Sequence, residues 1–352
     1  MVEWKKLGEV CEILRGKRLT KSQLNETEGY PVLHGGSTPM GYYSDYNRKA
    51  NTTVVVNTGN AGSVFFYDKE FWSSDACFSL YPNKGIIDKY LYLYVYGCEK
   101  ILKGKIRAGA MPTIDANTVA SLIIPIPSLE EQERIVGILD TFTASIDNIK
   151  AQIEQRRKQY EHYRNTLLTF NKDDDSVEWK TLGEVGDISA GGDVPRNTIK
   201  ETNPIENYCF PVYSNGKENN SLYGYSTSYS IAKQAVTISA RGTIGWHCVR
   251  EAYFTPIIRL ITVIPDEKLL SAKYLDYALY VTRIGGDNGG IPQLTVPSIK
   301  NCEIPLPSLQ EQQRIVSILD TFEASIANLE AQLEQRQKQY EYYREELLTN
   351  LS

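Results

Sequence analysis

The chain has 352 residues, a net charge of −5 and a pI near 5.5, with 41% hydrophobic and 23% charged residues, the make-up of a globular chain with room for two or three domains. Its longest apolar runs, such as residues 119–127, fall far short of the roughly 20 residues that cross a bilayer, and no apolar stretch follows Met1, so neither a membrane span nor a secretory signal is expected and the cytoplasm is the expected compartment. Cys11, Cys77, Cys98, Cys209, Cys248 and Cys302 form no C-x-x-C pair and His34, His162 and His247 are far apart, which predicts reduced thiols and no metal site.

Residues 1–123 carry 15 basic against 12 acidic side chains, a mildly basic module. Within it, residues 53–56 and 64–67 are β-branched and aromatic runs flanking Gly59 and Gly62, and predict two strands about a turn. Residues 88–94 predict a short helix. Residues 124–170 then change character. Pro125 and Pro127 favour extended chain, Ser128 and Glu131 form the S-x-x-E pattern of a capping box, and no proline follows for about 40 residues, predicting a helix on the order of 60 Å long. Its apolar residues Leu139, Phe142, Ile146, Ile149, Ile153, Tyr160, Tyr163 and Leu167 step by threes and fours, the a/d seam of a coiled coil, interrupted by Arg156 as a register pin or a side chain reaching out from the seam edge. Residues 171–176, with Lys172 and an acidic run, read as a solvated linker. Residues 177–303 form a second module, with a strand at 235–238 and a short helix within 269–282. Residues 304–352 are a second long helix, acidic overall, whose seam is Leu319, Phe322, Ile326, Leu329, Leu333, Tyr340, Tyr343 and Leu347, with Arg336 in the place of Arg156.

The chain is an internal repeat. Residues 2–10 return at 177–185, and 124–170 return at 304–350 with roughly 33 of 47 positions identical, whereas the intervening sequences share only sparse anchors: Gly16 with Gly191, Gly59 and Gly62 with Gly242 and Gly245, Gly109 and Pro112 with Gly289 and Pro292. Two narrow seams in one chain predict that the helices pair with each other, antiparallel, with the modules at opposite ends. The expected fold is α+β: two small α+β modules separated by two paired helices, related by a pseudo-two-fold repeat. Such a duplication presents one scaffold twice and two different surfaces, which a homodimer of identical chains does not.

In this pattern the chain resembles the specificity subunits of type I restriction-modification systems. The resemblance covers essentially the whole chain. It is carried most specifically by residues 109–112 (GAMP), 122–127 (LIIPIP) and 131–139 (EQERIVGIL), repeated at 289–292 (GGIP), 302–307 (CEIPLP) and 311–319 (EQQRIVSIL). The family implies that 1–123 and 177–303 are target recognition domains, each reading one half of a split, asymmetric DNA site, and that the long helices fix the gap. It implies assembly with two modification (methyltransferase) subunits, which bind S-adenosylmethionine and methylate adenine, and with two restriction (translocase–nuclease) subunits. No cofactor and no catalytic residue is expected in this chain. It has no G-x-x-x-x-G-K-[ST] loop, no G-x-G-x-x-G after a strand and no Asn-Pro-Pro-aromatic motif.

Base reading calls for donors on loops, with small polar groups to hold phosphates. Those expected in the first module are Arg15, Lys17, Arg18, His34, Ser37, Asn57, Thr58, Asn60, Lys105 and Arg107, and in the second Arg196, Ser214, Asn215, Lys217, Arg241, Thr243, Arg283, Asn288 and Gln293. The alternative is a non-catalytic coiled-coil adaptor whose modules bind protein or carbohydrate, a reading that the acidic pI favours and the paired motifs oppose.

Overall fold

A computed structural model describes residues 2–36, 38–107, 109, 111–173, 177–282, 284 and 293–349. The chain divides into two compact units, Met1–Ala151 with Glu330–Ser352, and Gln152–Leu329, so that each long helix is shared between both.

In the first unit the main sheet is antiparallel, in the order Cys11–Arg15, Cys77–Pro82, Thr52–Val56, Val64–Tyr67. The run Thr52–Val56 is buried throughout because both faces of the strand are covered. Val55 points into a core shared with the helix Asp88–Gly97, while Val54 and Val56 point the other way, onto Leu33, Phe71 and Cys77. A smaller sheet of Tyr42–Tyr43, Tyr30–Leu33 and Trp72–Ser73 lies beside that second core. The second unit repeats the plan. Gly186–Ala190, Ile261–Pro265, Ala235–Ile238 and His247–Arg250 form its main sheet, the helix Ala272–Val281 covers one face, and a four-stranded minor sheet runs Thr198–Ile199, Leu222–Ser226, Phe210–Tyr213, Thr255–Pro256.

Each module ends in a two-stranded ribbon that feeds a long helix: Glu3–Lys6 pairs with Ile123–Ile126, and Glu178–Thr181 with Glu303–Leu306. A fully buried tyrosine pins each ribbon, Tyr90 Oη donating to Pro125 O and Tyr274 Oη to Pro305 O, both at 2.9 Å. The helices Leu129–Leu168 and Leu309–Thr349 start one residue after Ser128 and Ser308, whose hydroxyls accept from the backbone of Glu131 and Glu311 at 3.3 Å. The second half of the expected capping box is not made. Glu131 turns its carboxylate forward to Arg134 (2.6 and 2.7 Å), as Glu311 does to Arg314. The glutamine between them does the anchoring. Gln132 is fully buried; its Nε2 donates to Gly85 O and Pro127 O (2.9 and 3.0 Å), and its Oε1 accepts from Ile87 N (2.9 Å). Gln312 donates likewise to Leu269 O and Pro307 O. The E-Q-x-R motif thus locks the helix start to its module.

Within each unit the two helices run antiparallel. In the first, Leu139 shares a core with Leu347 and Leu348, and three residues on Phe142 stacks on Tyr343 at 5.2 Å, with the Arg336 guanidinium over the same ring at 5.6 Å. In the second, Tyr163 stacks on Phe322 at 5.2 Å, Arg156 lies over that ring at 5.7 Å, and Tyr160 Oη donates to Glu323 at 3.0 Å. The seam arginines therefore stay within the pair, each against a phenylalanine of the opposite helix. No helix among the described residues is long and apolar enough to cross a membrane.

Candidate nucleic-acid interface

In the first module the loops after Arg15, Leu33 and Val56 meet on the segment 73–77, and further loops pack against them. Gly16 N donates to Cys77 O (3.0 Å) and Lys17 N to Ser73 O (2.9 Å). A Cβ on Gly16 would sit 2.0 Å from Ser74 O, which is why only glycine serves there; Gly191, its counterpart, is packed in the same way on Pro256. His34 Nδ1 lies 2.7 Å from Ser74 Oγ. The turn Gly59–Gly62, left-handed at both glycines, is tied to the next loop by Asn60 N donating to Gly35 O (3.2 Å), and Thr58 pairs with Thr113, which also pairs with Arg107. The Thr118 hydroxyl and amide, with Arg107 beside them, hold the Asp115 carboxyl below its usual range, and Arg107 Nη2 meets it at 2.6 Å.

Of the residues expected to contact DNA, Lys17, Arg18, His34, Asn60, Lys105 and Arg107 are exposed on these loops, and Thr58 is half-buried. Asn57 is a correction. It is 4% exposed, its Nδ2 donates to Asp75 O (3.2 Å) and its backbone holds Ala76 and Ile114, so it is built into the scaffold under the surface. Ser37 lies outside the described residues.

The second module builds the same cluster on matching bonds. Gly191 N donates to Leu260 O (2.8 Å), Ile257 N to Tyr213 O (2.9 Å) where Ser74 N meets Leu33 O (3.1 Å), and Leu294 N to Ala240 O (3.0 Å) where Ile114 N meets Asn57 O (2.9 Å). Arg196 and Lys217 are exposed, Ser214 is half-buried, and Arg241 is exposed with Nε and Nη2 donating to Gln293 Oε1 (3.2 and 2.9 Å). Thr243 Oγ1 lies 3.0 Å from Ser239 Oγ. Asn215 is the second correction: its Nδ2 donates to Ile258 O (2.7 Å) and its Oδ1 accepts from Ala240 N (2.8 Å), which leaves little of the amide for a ligand. It does for this module what Asn57 does for the first, from a different loop. Arg283 and Asn288 lie outside the described residues. Arg15, expected among the first module's donors, is exposed with Nε on Asp75 O (2.9 Å), whereas sequence reasoning missed Arg259, exposed in the second cluster.

The clusters offer donors and shape, with little in them for bond-breaking. Burial pushes the Cys11 thiol up to about 12 and those of Cys77 and Cys98 to about 11, so these cysteines are neutral core side chains. Among the described residues no three of His, Cys, Asp and Glu converge as metal ligands.

The family model for the type I restriction modification DNA specificity domain matches residues 1–156 and again 175–337, one copy per repeat. The chain belongs to the family of type I restriction-modification specificity subunits. It is 30% identical to a Mycoplasma pneumoniae protein named as a type I specificity subunit, over 97% of this chain and 96% of that one. It is 31% identical to a Haemophilus influenzae protein named as a type I restriction enzyme specificity subunit, over 100% and 96%. The crystal structure of a type I restriction-modification S subunit from M. genitalium has the same fold, with a TM-score of 0.68 at 18% identity, covering 100% of this chain and 97% of that one. As a specificity subunit the chain is a recognition component with DNA-recognition domains, and not itself an enzyme.

Proposed function

We propose that this specificity subunit reads a split, asymmetric DNA site, one half with each module, and that its paired helices set the gap between the halves. The observation that carries the reading is the repeated loop cluster. The same backbone bonds build it twice, yet the side chains it exposes differ: His34 and Arg107 in one module, Arg241 and Arg259 in the other. A common frame with exchanged donors is what two different half-sites require, since phosphate contacts can be shared and base contacts cannot. The partners are double-stranded DNA, two modification subunits, which bring S-adenosylmethionine and methylate an adenine, and two restriction subunits for cleavage. The overall charge of −5 agrees with a subunit whose helices face other proteins more than DNA.

The test is a gel shift with the chain assembled on its modification subunits, against duplexes carrying and lacking the motif methylated in the host. Specific affinity at least about a thousandfold above non-specific is expected at physiological salt. Equal affinity for both duplexes would refute the reading.

A further inference from the structure

The central turn of the second loop cluster is built against its own backbone preference. Residues 257–260 close with Leu260 N donating to Ile257 O at 3.0 Å, and the two residues between them, Ile258 and Arg259, are both left-handed, with φ of 53° and 61°. Turns with two left-handed centres favour Asn-Gly or Asp-Gly, because a Cβ crowds the backbone there and a β-branched one crowds it most. The fold does not demand this. In the first module the turn closed by the same bond, Cys77 N to Ser74 O at 3.1 Å, carries Asp75 and Ala76, and neither is left-handed.

The turn is held firmly nonetheless. Ile258 N donates to Gly192 O (2.8 Å), Arg259 N to Gly191 O (2.9 Å), and Asn215 Nδ2 to Ile258 O (2.7 Å). All of these bonds use the turn's backbone and leave both side chains outside. Ile258 is 46% exposed, and the exposed Arg259 has no side-chain partner among the described residues. The neighbouring arginines are engaged, Arg241 with Gln293 and Arg250 stacked on Tyr213 at 3.8 Å. Strain held in place by the surroundings, with an apolar and a cationic side chain projected together, marks a functional tip.

We propose that Ile258 and Arg259 are the specificity-determining tip of the second module. Arg259 donates to N7 and O6 of a guanine in the major groove, the bidentate match for a guanidinium, and Ile258 packs against the adjoining base edge. This rests on the reading of the module as one that reads a half-site.

The test uses the chain assembled with its modification subunits and a panel of duplexes, each changed at one base pair of the target. Arg259→Ala is expected to lose about tenfold or more of the discrimination at one G·C position of one half-site, with non-specific affinity little changed. Ile258→Asn combined with Arg259→Gly gives the turn the sequence its backbone favours. That variant is expected to melt at a higher temperature than the parent and still to lose the discrimination, a pairing that a purely structural turn does not give. Full discrimination in either variant, a loss equal on all sequences, or a double variant no more stable than the parent would each overturn the proposal. If the unaltered complex discriminates and the variants match it, this tip alone is wrong; if the unaltered complex shows no sequence preference, the half-site reading fails first.

Discussion

Arg241 and Asn215 stand in one loop cluster and use their donors differently. Arg241 keeps three guanidinium N–H groups beyond those given to Gln293, whereas Asn215 spends its amide on Ile258 O and Ala240 N. Arg241→Ala is therefore expected to weaken binding of the target about tenfold or more while changing non-specific binding little, as measured by competition titration on specific and random duplexes. A uniform loss with a salt slope smaller by about one would make it a phosphate contact. The same contrast explains what was legible at this scale. Polar residues beside loop glycines were readable as a set, and about half of them lie exposed, each on the loops of its own module. Asn57 and Asn215 were read as donors for a ligand because an asparagine that holds a turn and one that reads a base have the same local sequence. The Ile258–Arg259 turn gave no signal at all: a run of Ile, Ile, Arg and Leu reads as strand, and its left-handed backbone comes from the tertiary bonds to Gly191, Gly192 and Asn215.

At the scale of the element, the helix start is fastened to its module by a buried amide. Gln132→Ala would leave Gly85 O, Pro127 O and Ile87 N without that partner, and since only the bond to Pro127 O is fully buried the cost is about 1–3 kcal/mol, the range for one buried group left unpaired. Denaturant unfolding is expected to show that loss as a lower midpoint with an unchanged slope. An unaltered midpoint would mean that water or a neighbouring group replaces the amide. The two long helices were the most legible elements, since the absence of proline and the three-four seam leave little else for 40 residues to do. The main-sheet strands Thr52–Val56 and Ala235–Ile238 were legible from their β-branched runs. Two-residue strands such as Tyr42–Tyr43 and Thr198–Ile199 were not, because so short a segment has no period and is defined only by its neighbour. The E-Q-x-R motif was visible twice in the sequence, but its work was not: one partner of Gln132 is a loop 47 residues away.

For the whole molecule, the duplication makes two separable claims, that the helices set a distance and that the modules set a sequence. Four residues inserted near Glu154, with four more near Glu334 to keep the pair matched, lengthen each helix by about 6 Å at 1.5 Å per residue. Along B-DNA, at about 3.4 Å per base pair, this is one to two base pairs. Mapping the methylated motif of the double-insertion variant is expected to find both halves unchanged and the gap wider; an unchanged gap at full activity would show that something other than the helices sets it. The central claim, that each module reads its own half of the site, is tested most directly by exchanging residues 1–123 for the corresponding module of a relative and mapping methylation by long-read sequencing in a host that supplies the modification subunit. One half of the motif should change while the other half, read by residues 177–303, stays as it was. A motif altered in both halves, or in neither, would contradict it.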